Sequence, residues 1–201
     1  MVNSYLEYPQ TFRGIKRLMI FIDGAYLAKN LHDTFQGKEW SFDPKQLIEA
    51  LIHLAARPMQ PDLVRAYYYD AIPDDENKLE GERKKLLTNF EQLDNYQLRK
   101  GRLKDGRNPT ELGKRKQKGV DILLSIDMLS KAYENHYDIA IILSGDDDFL
   151  DLVEAIKDAG KTVAGVFFED HISEDLKNAF DKGLVMNERS LLATNIINLR
   201  T

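Results

Sequence analysis

The chain has 201 residues, with 28 Lys or Arg against 33 Asp or Glu for a formal net charge of −5, and 43% of it is hydrophobic. That length is enough for one domain with a sizeable core, and the lack of any cysteine excludes a disulfide framework, a thiolate zinc site, an iron–sulfur cluster and a Cys nucleophile. The charge is uneven: from Arg99 to Lys118 nine basic residues stand against two acidic ones, a local +7 that leaves −12 on the rest, and such a segment offers counter-charge to phosphate.

The first sixteen residues read as a tail or arm, without the basic and apolar regions of a signal peptide. Leu18–Ile22 is a continuous apolar run ending in Asp23-Gly24, as expected of a central strand covered on both faces. Asp43 is placed as the N-cap of a helix through about Ala56, with Pro44 at its first position. Leu63–Tyr69 predicts a strand ending at Asp70. Its Tyr67, Tyr68 and Tyr69 offer rings for stacking on bases, although strand alternation sends at least one of them into the core.

Asp74–Leu93 predicts a long amphipathic helix built on Leu79, Leu86, Leu87, Phe90 and Leu93. Lys104–Lys118, with Gly106, Pro109 and Gly113, is the one long irregular stretch, of the kind that is usually functional. The helix starting near Gly119 carries Val120, Leu123, Leu124, Met128 and Ala132, with Ile122, Ile126, Leu129 and Tyr133 beside them, so its apolar breadth predicts a helix sandwiched in the core. Ile139–Leu143 predicts a second central strand, ending in Ser144-Gly145-Asp146. Phe149, Leu152, Val153 and Ile156 then form one stripe of a helix that stops at Gly160. Thr162–Phe168 predicts a strand ending at Glu169-Asp170, and Asn187–Leu199 a terminal helix. No run approaches the roughly 20 apolar residues that span a bilayer, so no membrane partner and a cytoplasmic location are expected.

Short strand-like runs alternating with longer helical ones predict βαβ units and an α/β fold around a mostly parallel sheet. Ligands of such sheets bind outside the carboxyl ends of the strands. Asp23 and Asp146 therefore point to one rim, Asp148 follows in the next helical turn, and Asp121 opens the helix after the basic segment; if the two central strands are neighbours, these carboxylates converge. Clustered carboxylates repel unless a cation neutralises them, and a hard divalent ion bound through oxygen, Mg2+ or Mn2+, is the fitting one. Lys118, three residues before Asp121, would then bring ammonium near a bound phosphate.

Phe21-Ile22-Asp23-Gly24, Lys118-Gly119-Val120-Asp121 and Ser144-Gly145-Asp146-Asp147-Asp148-Phe149, in this order and spacing, resemble the three motifs of the NYN-domain (LabA-like) family, a branch of the PIN-like nucleases. The resemblance spans about Arg17 to Val185. It implies a PIN-like Rossmannoid three-layer sandwich, with a tail over residues 1–16, the domain over 17–186 and a C-terminal helix or tail over 187–201. It also implies a Mg2+- or Mn2+-dependent endoribonuclease in which Asp23, Asp121, Asp146 and Asp148 hold the metal and metal-activated water attacks the phosphodiester. Ser144 becomes an auxiliary ligand or hydrogen-bond donor, and Lys118, Arg115 and Lys116 hold the RNA, whether single-stranded or structured. Many members carry Asn three residues after the first Asp, where this chain has Tyr26; Asn30, one turn later, is a candidate substitute.

Each signal has a plainer reading. Asp146 alone is an ordinary N-cap, and Asp70 and Asp170 fit turn or cap positions. Asp147 falls in register with Asp151, Glu154 and Asp158 on a solvated face and is left out of the site. Gly160-Lys161-Thr162 mimics a P-loop ending but has Ala155 where the first glycine belongs, the four histidines lack paired zinc-ligand spacing, and there is no Gly-x-Ser-x-Gly elbow. Two alternatives remain beside the ribonuclease: a catalytically weak RNA-binding or regulatory adaptor, for which Tyr26 argues, and a haloacid-dehalogenase-like phosphatase, weakened by Ala25 where a second Asp is needed. A homo-oligomer is compatible with the sequence.

Overall fold

A computed structural model describes residues 14–55, 60–72, 81–104 and 116–200. In chain order the elements are β1 (Arg17–Asp23), α1 (Gly24–Thr34), β2 (Trp40–Phe42), α2 (Pro44–Ala55), β3 (Asp62–Ile72), α3 (Gly81–Phe90), β4 (Tyr96–Lys104), β5 (Lys116–Lys118), α4 (Val120–Tyr133), β6 (Ile139–Leu143), α5 (Leu150–Asp158), β7 (Thr162–Phe168), α6 (Glu174–Ala179), β8 (Lys182–Met186), α7 (Glu188–Ala193) and β9 (Ile197–Leu199). Strands β4, β3, β1, β6, β7 and β8 lie side by side and parallel in that order, and β5 closes the β4 edge antiparallel. β2 and β9 form a separate antiparallel pair.

Strand alternation splits the core into two sheets of side chains. Leu18, Ile20 and Ile22 of β1 pack with Leu27 and Leu31 of α1, Leu47 and Leu51 of α2, Leu86 and Phe90 of α3 and Leu191 of α7. Met19 and Phe21, one residue out of step, pack with Leu124 and Met128 of α4, Val153 and Ile156 of α5 and Leu176 of α6. The result is the expected α/β three-layer sandwich, consistent with the PIN-like class. Among the described residues no helix is long and apolar enough to cross a membrane.

The four central strands and the Asp43 cap, which accepts from the Lys45 and Gln46 N–H groups, fall where the sequence places them. Several expectations change. The helix α4 is not sandwiched: Ile122, Ile126 and Tyr133 are 65%, 59% and 69% exposed, because a helix in an outer layer has one face on the sheet and its 3.6 period turns these three away. Tyr67, Tyr68 and Tyr69 are all buried, since β3 is covered on both sides, so none offers a face for stacking. The terminal segment is a short helix capped by Asn187 and then a strand, with Leu191, Ile196 and Ile197 buried in the core. Lys104 and Lys116–Lys118 are strand rather than loop, paired across β4 and β5. Of the long helix expected over Asp74–Leu93 the structure contains Gly81–Phe90, and Leu79 lies outside the described residues.

Across the α4 layer a buried charge network ties the β4 edge to the helix. Asp127, 7% exposed, accepts from Arg99 of β4, from Lys131 one turn along α4 and from the Tyr69 hydroxyl at 3.1 Å. The Arg99 and Lys131 cations also sit 5.6 and 5.1 Å from the centre of the Tyr67 ring, an attraction that is stronger where water is excluded. Removing one partner of such a network strands the others. Asp127→Ala should therefore destabilise the fold by about 3 kcal/mol, and Tyr69→Phe by about 1 kcal/mol for its one hydrogen bond, both read from urea denaturation midpoints.

Candidate active site

β1 and β6 pair in parallel from Leu18↔Ile139 to Ile22↔Leu143, which brings the segments after Ile22 and Leu143 out of the sheet side by side. Asp23, the last residue of β1, is 6% exposed and caps α1 by accepting the Tyr26 N–H at 3.0 Å through Oδ1. Its Oδ2 accepts from the Ser144 hydroxyl at 3.2 Å. Ser144 Oγ in turn accepts the Asp146 N–H at 3.3 Å, and Asp146 Oδ1 accepts the Asp148 N–H at 3.1 Å. One chain of hydrogen bonds thus runs from the end of β1 across β6 to the turn before α5.

Asp121 reaches the same place from the other flank. Gly119 holds φ +80°, a left-handed conformation that costs glycine little and lets the chain turn from β5 into α4 within one residue. Asp121 then falls in the first turn of α4, half-buried.

Electrostatics record the convergence. Burial, chiefly, pushes the Asp23 carboxyl up to about 6, with the Asp121 and Asp146 charges adding to it and the two hydrogen bonds opposing. Asp121 is raised for the same reasons, burial first and then Asp146 and Asp148. Among the described residues no cation forms an ion pair with any of the four. Nor do three Asp, Glu or His side chains stand close enough together to hold a metal ion as they are placed; Asp146 and Asp148 are exposed and would have to turn inward. The donor set nevertheless fits a hard divalent ion in chemistry: it is all oxygen, its charge is uncompensated, and a carboxylate has acceptor capacity left after one capping bond.

The remaining expected residues are placed unevenly. Ser144 is 1% exposed, so it acts here as a hydrogen-bond donor to Asp23. Lys116 and Lys118 are placed by their backbone in β5, opposite Lys104 and Arg102; Arg115 lies outside the described residues. Arg99, at the start of the basic segment, is committed to Asp127. Asp70 is buried within β3, while Asp170 is exposed.

Tyr26 turns out to be a clamp. Its hydroxyl donates to the His171 carbonyl at 2.8 Å and accepts the Phe168 N–H at 3.0 Å. A Cβ on Gly145 would come within 1.9 Å of the same His171 carbonyl oxygen, so only glycine lets the turn after β7 lie against the Ser144-Gly145 segment. Asn30, 2% exposed, does not reach the carboxylates: its amide donates to the Tyr26 carbonyl at 2.8 Å and its oxygen meets His171 Nδ1. No local signal marks His171, since its partners lie more than 140 residues away in sequence.

Linkage follows from the raised Asp23. A carboxyl whose folded value lies above its unfolded 3.8 favours the fold when protonated, so its contribution is full below about pH 4 and is lost as pH rises through about 6. Asp23→Asn should therefore raise stability by roughly 2–3 kcal/mol at pH 7.5 in chelator, with the gain vanishing near pH 4, as measured by denaturation at the two pH values.

Comparison with known proteins agrees with this geometry. The family model described as "NYN domain" matches residues 17–187. The Low amplitude and bright protein LabA of Synechococcus elongatus is 29% identical over 173 residues, covering 86% of this chain and 84% of that protein. A crystal structure of a protein of unknown function from Vibrio parahaemolyticus superposes with a TM-score of 0.64 at 19% identity, covering 87% of this chain and 94% of that one, and it shares the fold. With its motif-bearing strand ends side by side and the family match running across most of its length, the chain belongs to the NYN domain family, within the PIN-like class.

Proposed function

We propose that this protein is a divalent-metal-dependent ribonuclease whose site is the rim formed by Asp23, Asp121, Asp146 and Asp148. The observation that carries the reading is Asp23, buried at the carboxyl end of β1 beside β6, joined through Ser144 to the Asp146 turn and, among the described residues, without a cation to pair with. Proteins keep such a group at a cost to the empty fold, and a buried carboxylate perturbed by its acidic neighbours is a marker of function.

Asp23, Asp121, Asp146 and Asp148 would hold Mg2+ or Mn2+. When bound, such an ion supplies charge neutralisation at a phosphoryl oxygen and a more acidic water. The chain's own residues do the rest. Ser144 fixes the Asp23 carboxylate by donating to Oδ2, and the Tyr26 N–H fixes Oδ1. Lys118 and Lys116, on the strand leading into Asp121, and Arg115 supply cationic contacts to the RNA backbone, which account for most sequence-independent affinity.

A second reading, an RNA-binding or regulatory protein of low turnover, draws on the same structure. The carboxylates are not gathered at metal-binding distance, and Tyr26, where many members carry Asn, spends its hydroxyl on the turn after β7.

Cleavage of a mixed-sequence RNA in Mg2+ or Mn2+ separates the two. The ribonuclease reading predicts a loss of about 100-fold or more in rate for Asp146→Asn and Asp23→Asn, with RNA affinity retained. Unchanged cleavage in both variants overturns it, and tight, salt-sensitive RNA binding without metal-dependent turnover in the unaltered protein establishes the second reading in its place.

A further inference from the structure

Beside the carboxylate rim lies a cavity of about 140 Å³ at the carboxyl ends of β7 and β8. It is linked to the site through α1: Tyr26, whose N–H holds Asp23, also holds the His171 carbonyl, and Asn30 of the cavity is one turn further along the helix. Phe168 and Met186 give it apolar surface, and His171 and Asn30 line it with polar groups. The Asn30 amide is oriented by its bond to the Tyr26 carbonyl, so its oxygen is the acceptor facing His171 Nδ1, and the imidazole is held with its proton on that nitrogen.

Three carboxylates complete the lining: Glu169, Asp170 and Glu188. Glu188 is paired with Lys38 at 2.6 Å. Glu169 and Asp170 are exposed and, among the described residues, make no hydrogen bond or ion pair. The lining is therefore rich in acceptors and poor in free cations, which disfavours phosphate and favours a flat ligand bearing N–H donors.

We propose that this cavity is a nucleobase subsite that selects cytosine next to the cleaved phosphodiester; the proposal rests on the ribonuclease reading for its substrate. A cavity of about 150 Å³ holds benzene, so one six-membered ring fits within the volume here. Of the one-ring bases, cytosine presents an amino donor that Asp and Glu accept from, and uracil has no exocyclic amine. The fixed His171 ring supplies a stacking face of the kind that RNA-binding sites use.

The test is direct binding of the nucleosides cytidine, uridine and guanosine to the full chain without divalent metal, followed by NMR chemical shifts, together with cleavage of oligocytidylate and oligouridylate. Cytidine should bind about tenfold more tightly than uridine, and the double variant Glu169→Gln/Asp170→Asn should lose that preference without a change in melting temperature. Equal affinities, tighter guanosine binding or no saturable cytidine binding overturns the subsite, whether or not RNA is cleaved. Absence of cleavage alongside intact cytidine preference overturns the ribonuclease reading and supports the subsite as a base-binding site.

Discussion

Everything at the rim depends on one pairing: β1 beside β6, parallel and in register from Leu18↔Ile139. Parallel strands send their carboxyl ends the same way, so the Asp that closes β1 and the Ser-Gly-Asp that follows β6 leave the sheet together. The pairing is held by two hydrophobic layers rather than by the polar residues at the ends, for Leu18, Ile20 and Ile22 face one layer and Met19 and Phe21 the other. The site is thus a by-product of packing that happens elsewhere, and the packing holds Asp23 in a place where its charge is unfavourable.

That charge cost and the ordinary structural roles of the same residues coexist. Asp23 caps α1 and Asp146 caps the turn before α5, so the plain N-cap reading is correct as far as it goes. A cap uses one acceptor site of a carboxylate that has about four. What distinguishes this pair from ordinary caps is their company: Ser144 bridges the two caps, and the first turn of α4 brings the Asp121 charge to bear on Asp23.

The cationic side of the molecule is smaller than the raw count suggests. Arg99 is spent on Asp127 and the Tyr67 ring, where it binds the β4 edge to α4. This has a structural logic, because β4 leads out to the basic segment and α4 begins with Asp121: the network at Asp127 ties both flanks of that segment to the same layer. The ends of β4 and α4 that flank the segment are therefore held by a common set of buried contacts.

Much of the frame was legible in the sequence for a physical reason: β1, β6 and β7 are buried on both faces along nearly all their length, so their runs are almost continuously apolar, and β3 carries the same signal over Ala66–Tyr69. The edge and short strands were not, since β4 with its Arg and Lys residues and the three-residue β2, β5 and β9 are stabilised by neighbours and carry no pattern of their own. The apolar breadth of α4 misled because composition does not say which side of a helix meets the sheet. Asp23, Asp121, Asp146 and Asp148 were readable from local motifs at element ends. Tyr26 and Asn30 could be named there but not their partnership with His171, because it joins α1 to the turn after β7 across more than 140 residues. By itself the sequence determined the fold class and singled out the four candidate carboxylates, which rest on local periodicity and end signals. Only the tertiary structure decided which strands are neighbours, that Tyr67–Tyr69 are core, and that a cavity opens beside the rim, because those are long-range contacts.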